Sequence, residues 1–326
     1  MNKFFTIAGA MVLFVLLTGC QKKIDEFIPD SNSLNAPDTV WQAVVPSGSA
    51  VVALRNDLKQ LSAYDSFAYN NTGIVFNSGN YSLTVPPNAL SSSGGIVTGG
   101  TVVRESQLLQ KKGDYIMQSM PTVSGGRLLI SGGEFFLGLK NGINELHVST
   151  GDSLTIKFNS TNIFPATQVY NLTGDITTGY EWALNTEPAF NKVNISSAGY
   201  EVIVNRLQWV QPAYIFDTTG IPETVFSLKL PSNYTNVNTE AYISFNGMQC
   251  VANMNGNVGN RSFVSGPLPV GQPVTIVVIS KQAGDYYLGI VQTTTALPSS
   301  GTGTQEAVIT PVKTSLAGIR SYLANL

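Results

Sequence analysis

The side chains able to do chemistry are few. An acid–base pair for glycoside hydrolysis needs two carboxyls at a set separation. It would have to come from Glu134, Glu145, Asp152, Glu181, Glu201, Asp217, Glu223 and Asp285. No spacing singles out two of them. Asp152 and Asp285 each follow a glycine, where an aspartate fixes turn geometry. His147 is the single histidine, so a histidine metal cluster is excluded by count. Strand alternation in Leu146-His147-Val148 sets its ring opposite its neighbours, toward solvent or a sheet edge. The chain contains no Asp-x-Asp-x-Asp calcium loop, no Gly-x-Ser-x-Gly elbow and no phosphate-cradling glycine loop. The residues therefore point to a non-catalytic protein that needs no cofactor. A hydrolase built on paired carboxylates is the alternative.

Aromatic side chains offer a different chemistry. Trp and Tyr bury large areas at small entropic cost, which suits sugar stacking or peptide contact. Trp182, Trp209, Tyr214 and Tyr287 are the candidate ligand-contacting residues, with Trp41 and Tyr286 beside them. Core packing is the competing reading for each one taken alone. A glycan-binding surface would need two of them side by side on an exposed face.

Cys20 and Cys250 are the two cysteines. Lys3 and the mostly apolar run Phe4 to Leu17 have the form of a signal peptide, and the run ends in Leu17-Thr18-Gly19-Cys20. An ordinary secretion signal or a single spanning helix would share the apolar run but leave the cysteine unexplained. The four residues resemble the lipobox of bacterial lipoproteins. That resemblance implies peptidase recognition of Leu17, Thr18 and Gly19 and lipidation of Cys20. Two or three acyl chains, at about 0.8 kcal/mol per buried methylene, anchor a protein where one chain is marginal. Cys250 then has no internal partner and reads as a buried, inert thiol. Lys22, Lys23, Asp25 and Glu26 look like the export cluster that carries lipoproteins of Bacteroidetes-type bacteria to the outer membrane. Asp38-Thr39-Val40, Asp152-Ser153-Leu154 and Asp217-Thr218-Thr219 look like the O-glycan acceptor sites of the same bacteria, which would modify Thr39, Ser153 and Thr218.

Composition agrees with an exported β protein. Of 326 residues, 43% are apolar and only 12% charged, with a formal net charge of -2. Charged residues are at about half the usual share, and the basic pairs Lys22-Lys23 and Lys111-Lys112 are too small for a nucleic-acid partner. The expected partners are the membrane, through the N-terminal lipid, and a glycan or envelope protein.

The elements follow from periodicity. Val51, Leu54, Leu58 and Leu61 recur at helical spacing, predicting a helix over 51–61. From Gly73 the period becomes two, with short strands and turns in regular alternation. Ser131-Gly132-Gly133 reads as the turn of a hairpin between Arg127–Ile130 and Glu134–Leu139. Leu316, Ile319 and Leu323 predict a C-terminal helix started by Thr314 or Ser315. The expected architecture is all-β: two antiparallel β-sandwich-like domains, a short helix before the first and a C-terminal helix after the second. The expected divisions are 1–19 signal, 20–45 lipidated tether, 46–165 first domain and 166–326 second domain. In each, one sheet face would be apolar and the other wet.

Gly73-Ile74-Val75, Val85-Pro86-Pro87-Asn88-Ala89-Leu90 and Thr101-Val102-Val103-Arg104-Glu105 resemble the strand pattern of ZU5-type β-domains. The block from Asp114 to Phe135 is similar to one found in Bacteroidetes surface lipoproteins. The likeness covers Gly73 to Phe158. It implies a protein-contact module with no catalytic residues to carry over.

Overall fold

The computed structural model describes residues 40–165, 167–175, 179–298 and 304–326. Leu17, Thr18, Gly19, Cys20 and Thr39 lie outside the described residues. The chain runs α1 (Ala50–Leu58), β1 (Ala63–Tyr69), β2 (Ile74–Ser78), β3 (Tyr81–Val85), β4 (Gly100–Leu109) and α2 (Lys112–Met117). It continues β5 (Arg127–Ser131), β6 (Glu134–Asn141), β7 (Leu154–Asn159), β8 (Gln168–Asp175), β9 (Gly179–Leu184), β10 (Val193–Ser196), β11 (Gly199–Val204) and β12 (Trp209–Ile215). Then follow β13 (Phe226–Lys229), β14 (Thr239–Phe245), β15 (Val251–Asn257), β16 (Ser262–Ser265) and β17 (Pro273–Gln282). The last elements are β18 (Asp285–Thr294), β19 (Gln305–Val308), β20 (Val312–Thr314) and α3 (Leu316–Ala324). The fold is all-β with short helices near its two ends, as the sequence led one to expect.

Three large sheets stack in order. The outer sheet runs β10-β11-β7-β3-β2 and the middle sheet β1-β4-β6-β12-β8-β9. Leu83, Phe135, Leu137, Ile156, Phe158 and Val202 fill the space between them. The third sheet, β19-β13-β16-β15-β14-β17-β18-β20, curls around Phe226, Ile243, Phe245, Phe263 and Ile276. Between the middle and third sheets lies another core, to which all three helices contribute through Leu54, Leu58, Ile116, Ile319 and Leu323.

The strands Tyr81–Val85 and Leu154–Asn159 of the outer sheet alternate as expected of a sheet with one wet face. The centre of the middle sheet departs from that expectation: it is covered on both faces, and β12 is buried from Trp209 through Ala213 without alternation. The division at residue 165 also fails to separate sheets. β7 pairs with β11, and β6 pairs with β12, across that point. The third sheet begins only after Ile215.

The hairpin expected at Ser131-Gly132-Gly133 does not form. β5 and β6 both pair with β12, one after the other, so the chain passes straight through the glycines. Gly133 sits at φ +132° and leaves the ladder locally irregular, and a Cβ on Gly132 would overlap the Tyr200 ring. Pro212 falls where β12 changes partners and takes the Gly132 N–H on its carbonyl at 2.8 Å. That break in the ladder is how a central strand accommodates a residue with no N–H to give.

Helix α1 ends at Leu58, not Leu61, which is 93% exposed. The chain turns out at Lys59, and Gln60 instead bonds Gln118 and Asp114, at 3.2 and 2.8 Å. Helix α2 is short, only six residues. The Asp114 carboxylate accepts from the Gln110 and Lys111 N–H groups at 3.2 and 3.0 Å and so closes its first turn. At α3 the Ser315 hydroxyl accepts from Gly318 N at 3.0 Å, the expected cap. No described helix is long and apolar enough to cross a membrane.

Helices α2 and α3 meet at Gly113, where a Cβ would overlap the Leu323 carbonyl. Gly113→Ala should therefore destabilise the fold by about 1–3 kcal/mol through overpacking, despite alanine's better helix propensity. Gly266→Ala, where a Cβ meets open space, should change stability by less than about 0.5 kcal/mol. Urea unfolding of the two variants checks the contrast, and equal midpoints would refute it.

Candidate functional site

The middle and third sheets part at one end to leave a cleft of about 640 Å³. Four side chains of the third sheet line it. Tyr242 on β14 stands opposite Asn253 on β15, and the alternation of both strands brings Glu240 and Asn255 to the same face. Asn253 Nδ2 donates to Asn255 Oδ1 at 2.8 Å, which orients the two amides. The facing wall is Tyr180 and Glu181 on β9, with Ser119, Pro121 and Val123 from the segment after α2. Arg55 of α1 closes the side.

Fixed polar contacts hold these groups. Arg55 Nε lies 2.6 Å from Glu240 Oε1, and the Ser119 hydroxyl reaches Glu240 Oε2 at 3.4 Å. The Glu240 charge raises the Arg55 pKa, against the opposing effect of burial. Tyr180 donates its hydroxyl to the Ser119 carbonyl at 3.1 Å. Burial raises its pKa well above the ordinary tyrosine range. Gly125 N donates to Glu181 Oε1 at 2.8 Å. Gly125 and Gly126 turn the chain with φ of +54° and +75° at the cleft mouth.

The aromatic candidates do not form a platform. Trp182 is fully buried and Trp209 is 6% exposed, packed on Phe136 at 5.4 Å. Both belong to the core between the sheets, which corrects their reading as ligand contacts. Tyr214 is half-buried against Phe164, and Tyr287 meets Tyr234 edge-on at 5.8 Å. The Tyr286 hydroxyl donates to Asp57 at 2.8 Å, and half-buried Trp41 packs on Phe263. Ser153 and Thr218 are half-buried.

The eight carboxylates are dispersed. Glu201 pairs with Lys157 and Asp285 with Lys313, each at 2.6 Å, and Glu145 reaches Lys140 at 3.7 Å. Asp217 accepts from Thr219 N at 2.9 Å. Asp152 is half-buried, and Glu223 is exposed. Glu181 alone of the eight lines this cleft. Its companion Glu240 was missed in the sequence, where the alternation Glu240-Ala241-Tyr242-Ile243 carried the signal. His147 is exposed on a short strand, and Cys250 is buried, which pushes its thiol up to about 12. Among the described residues no three His, Cys, Asp or Glu side chains converge as a metal cage.

Glu134 is the unusual acid. It is fully buried, and neither carboxyl oxygen has a hydrogen-bond partner among the described residues. Register sets Gln211 beside it and Tyr170 beside Gln211, so a polar row crosses the doubly covered sheet. Burial raises the Glu134 pKa well above the carboxylate range, and Asp114 raises it further. It is therefore held as the neutral acid.

No family model matches this chain, and no curated protein or solved structure matches it either.

The Glu134 pKa is higher folded than unfolded. Its contribution is thus fully present below the unfolded value of about 4.3 and is lost as pH rises toward the folded value, by up to about 1.4 kcal/mol per pH unit. Glu134→Gln should remove that slope. Urea unfolding from pH 4 to 8 should show the variant gaining on the native chain as pH rises, and parallel curves would reject the assignment.

Proposed function

We infer that this chain is a lipid-anchored cell-envelope protein that acts as a non-catalytic binding module through the cleft between its sheets. The observation that carries the reading is the cleft itself, a preformed concavity whose polar groups are already fixed by one another. Arg55 and Glu240 are paired at 2.6 Å, and Glu240 also receives Ser119. Glu181 is held by Gly125 N. Both acids thus serve as oriented acceptors. A general acid or base must instead be placed to exchange its proton with a reacting group.

Anchoring rests on Leu17-Thr18-Gly19-Cys20 and the signal-like run before it. The export-like cluster Lys22, Lys23, Asp25 and Glu26 supports an outer-membrane address, on the surface or the periplasmic side, with a glycan or an envelope protein as partner. The likeness of Gly73 to Phe158 to ZU5-type contact domains supports the same non-catalytic role.

Two measurements test the two halves of this reading. A palmitate analogue fed to cells should label the native chain and not Cys20→Ala, which should leave the membrane fraction; label in both, or in neither, would sink the anchor. Saturation-transfer NMR with a mixture of sugars, dipeptides and nucleotides should detect bound compounds. Their signal should weaken by about tenfold or more in Glu181→Ala and Asn255→Ala, as expected when charged or paired hydrogen-bond acceptors are removed. Signals that neither variant changes would reject the cleft as the site.

A further inference from the structure

We propose that the cleft takes a neutral, hydroxylated ligand, a sugar unit of an uncharged glycan. This rests on the cleft being the binding site, and it specifies what that site selects.

Charge comes first. Arg55, the one cation among the described residues of the lining, is spent on Glu240 at 2.6 Å, and Glu181 adds a negative charge. A phosphate, sulfate or uronate would meet net repulsion and would have to break an ion pair to reach the guanidinium. A cationic group would be drawn to Glu181, but an ammonium or guanidinium has no acceptor to offer the Arg55 and asparagine N–H groups beside it.

The hydrogen-bonding inventory narrows it further. The Asn253–Asn255 bond at 2.8 Å uses one donor and one acceptor, so both amides keep donor and acceptor capacity. The Arg55 fork keeps N–H groups beyond its Nε, and Glu181 keeps a second oxygen. The lining therefore carries both planar donors and planar acceptors. A hydroxyl both donates and accepts, so neighbouring hydroxyls on a ring satisfy such a lining without leaving a charge behind. The paired exposed aromatics expected of a stacking platform are absent among the described residues, and Pro121, Val123 and the body of Tyr180 supply in their place the apolar surface that the C–H face of a sugar ring needs.

A peptide that adds to a strand edge needs open backbone groups there. On the edge of β9 beside the cleft, the Trp182 carbonyl already accepts from the Ser124 hydroxyl at 2.5 Å.

The test is isothermal titration of the full chain with three sets of probes at millimolar concentration. These are uncharged oligosaccharides of glucose, mannose and galactose, heparin-derived oligosaccharides, and defined tetrapeptides. At least one uncharged oligosaccharide should bind, about tenfold or more weaker to Glu181→Ala and to Asn255→Ala, both exposed positions. Thermal melts confirm that the variants fold. Heparin fragments or peptides binding in a cleft-dependent way, with the uncharged sugars silent, would overturn the ligand class and leave the cleft standing. Sugar binding that both variants retain would overturn the cleft itself. Silence from every uncharged oligosaccharide would also overturn the proposal.

Discussion

Everything in this fold depends on the central strands of the middle sheet being buried on both faces. An antiparallel sheet with one wet face can place polar residues on alternate positions at no cost. This one cannot. Its second face lies against helices and another sheet, so Trp182, Trp209, Tyr170 and Leu129 become core. The polar residues that remain in the row, Glu134 and Gln211, are enclosed with them. An enclosed carboxyl is tolerable only as the neutral acid, which is the state that burial imposes on Glu134.

The same layering makes the cleft. Where the two sheets are in contact, aromatic and aliphatic side chains exclude water. Where they part, Tyr180, Glu181, Tyr242, Asn253 and Asn255 line the gap instead of filling it. Arg55 arrives from a helix far away in the chain, and its pairing with Glu240 joins α1 to the third sheet at the cleft wall. The site is assembled from five separate stretches and has no local sequence motif.

That distribution explains what could be read beforehand. Periodicity identified most strands and both terminal helices, because period and burial agree along α1 and α3. Periodicity carries no sign that β12 is one strand, because Gln211 and Pro212 interrupt its apolar run and pairing that switches between β5 and β6 is a tertiary fact. The glycines at 132 and 133 misled in the same way: a turn and a passage through an irregular ladder ask for the same residue type. Trp182 and Trp209 looked like ligand contacts because chemistry alone does not tell a sheet with one covered face from a sheet with two. Glu240 escaped notice for the converse reason, a strand polar face that turned out to border a gap.

The short stretch from Gln305 to Thr314 provides both outermost strands of the third sheet. β19 lies parallel to β13, and β20 lies antiparallel to β18. Between them Ile309 enters the core over Gly289, where a Cβ would collide with it. The two edges of that sheet are thus joined by one piece of chain that follows all its other strands in sequence. Until that piece docks, both edges are open to other strands and the enclosed core lacks its last wall. β13 and β19 lie far apart in the chain, so closing the sheet is a long-range step whose loop entropy is met only when the rest of the sheet is already in place.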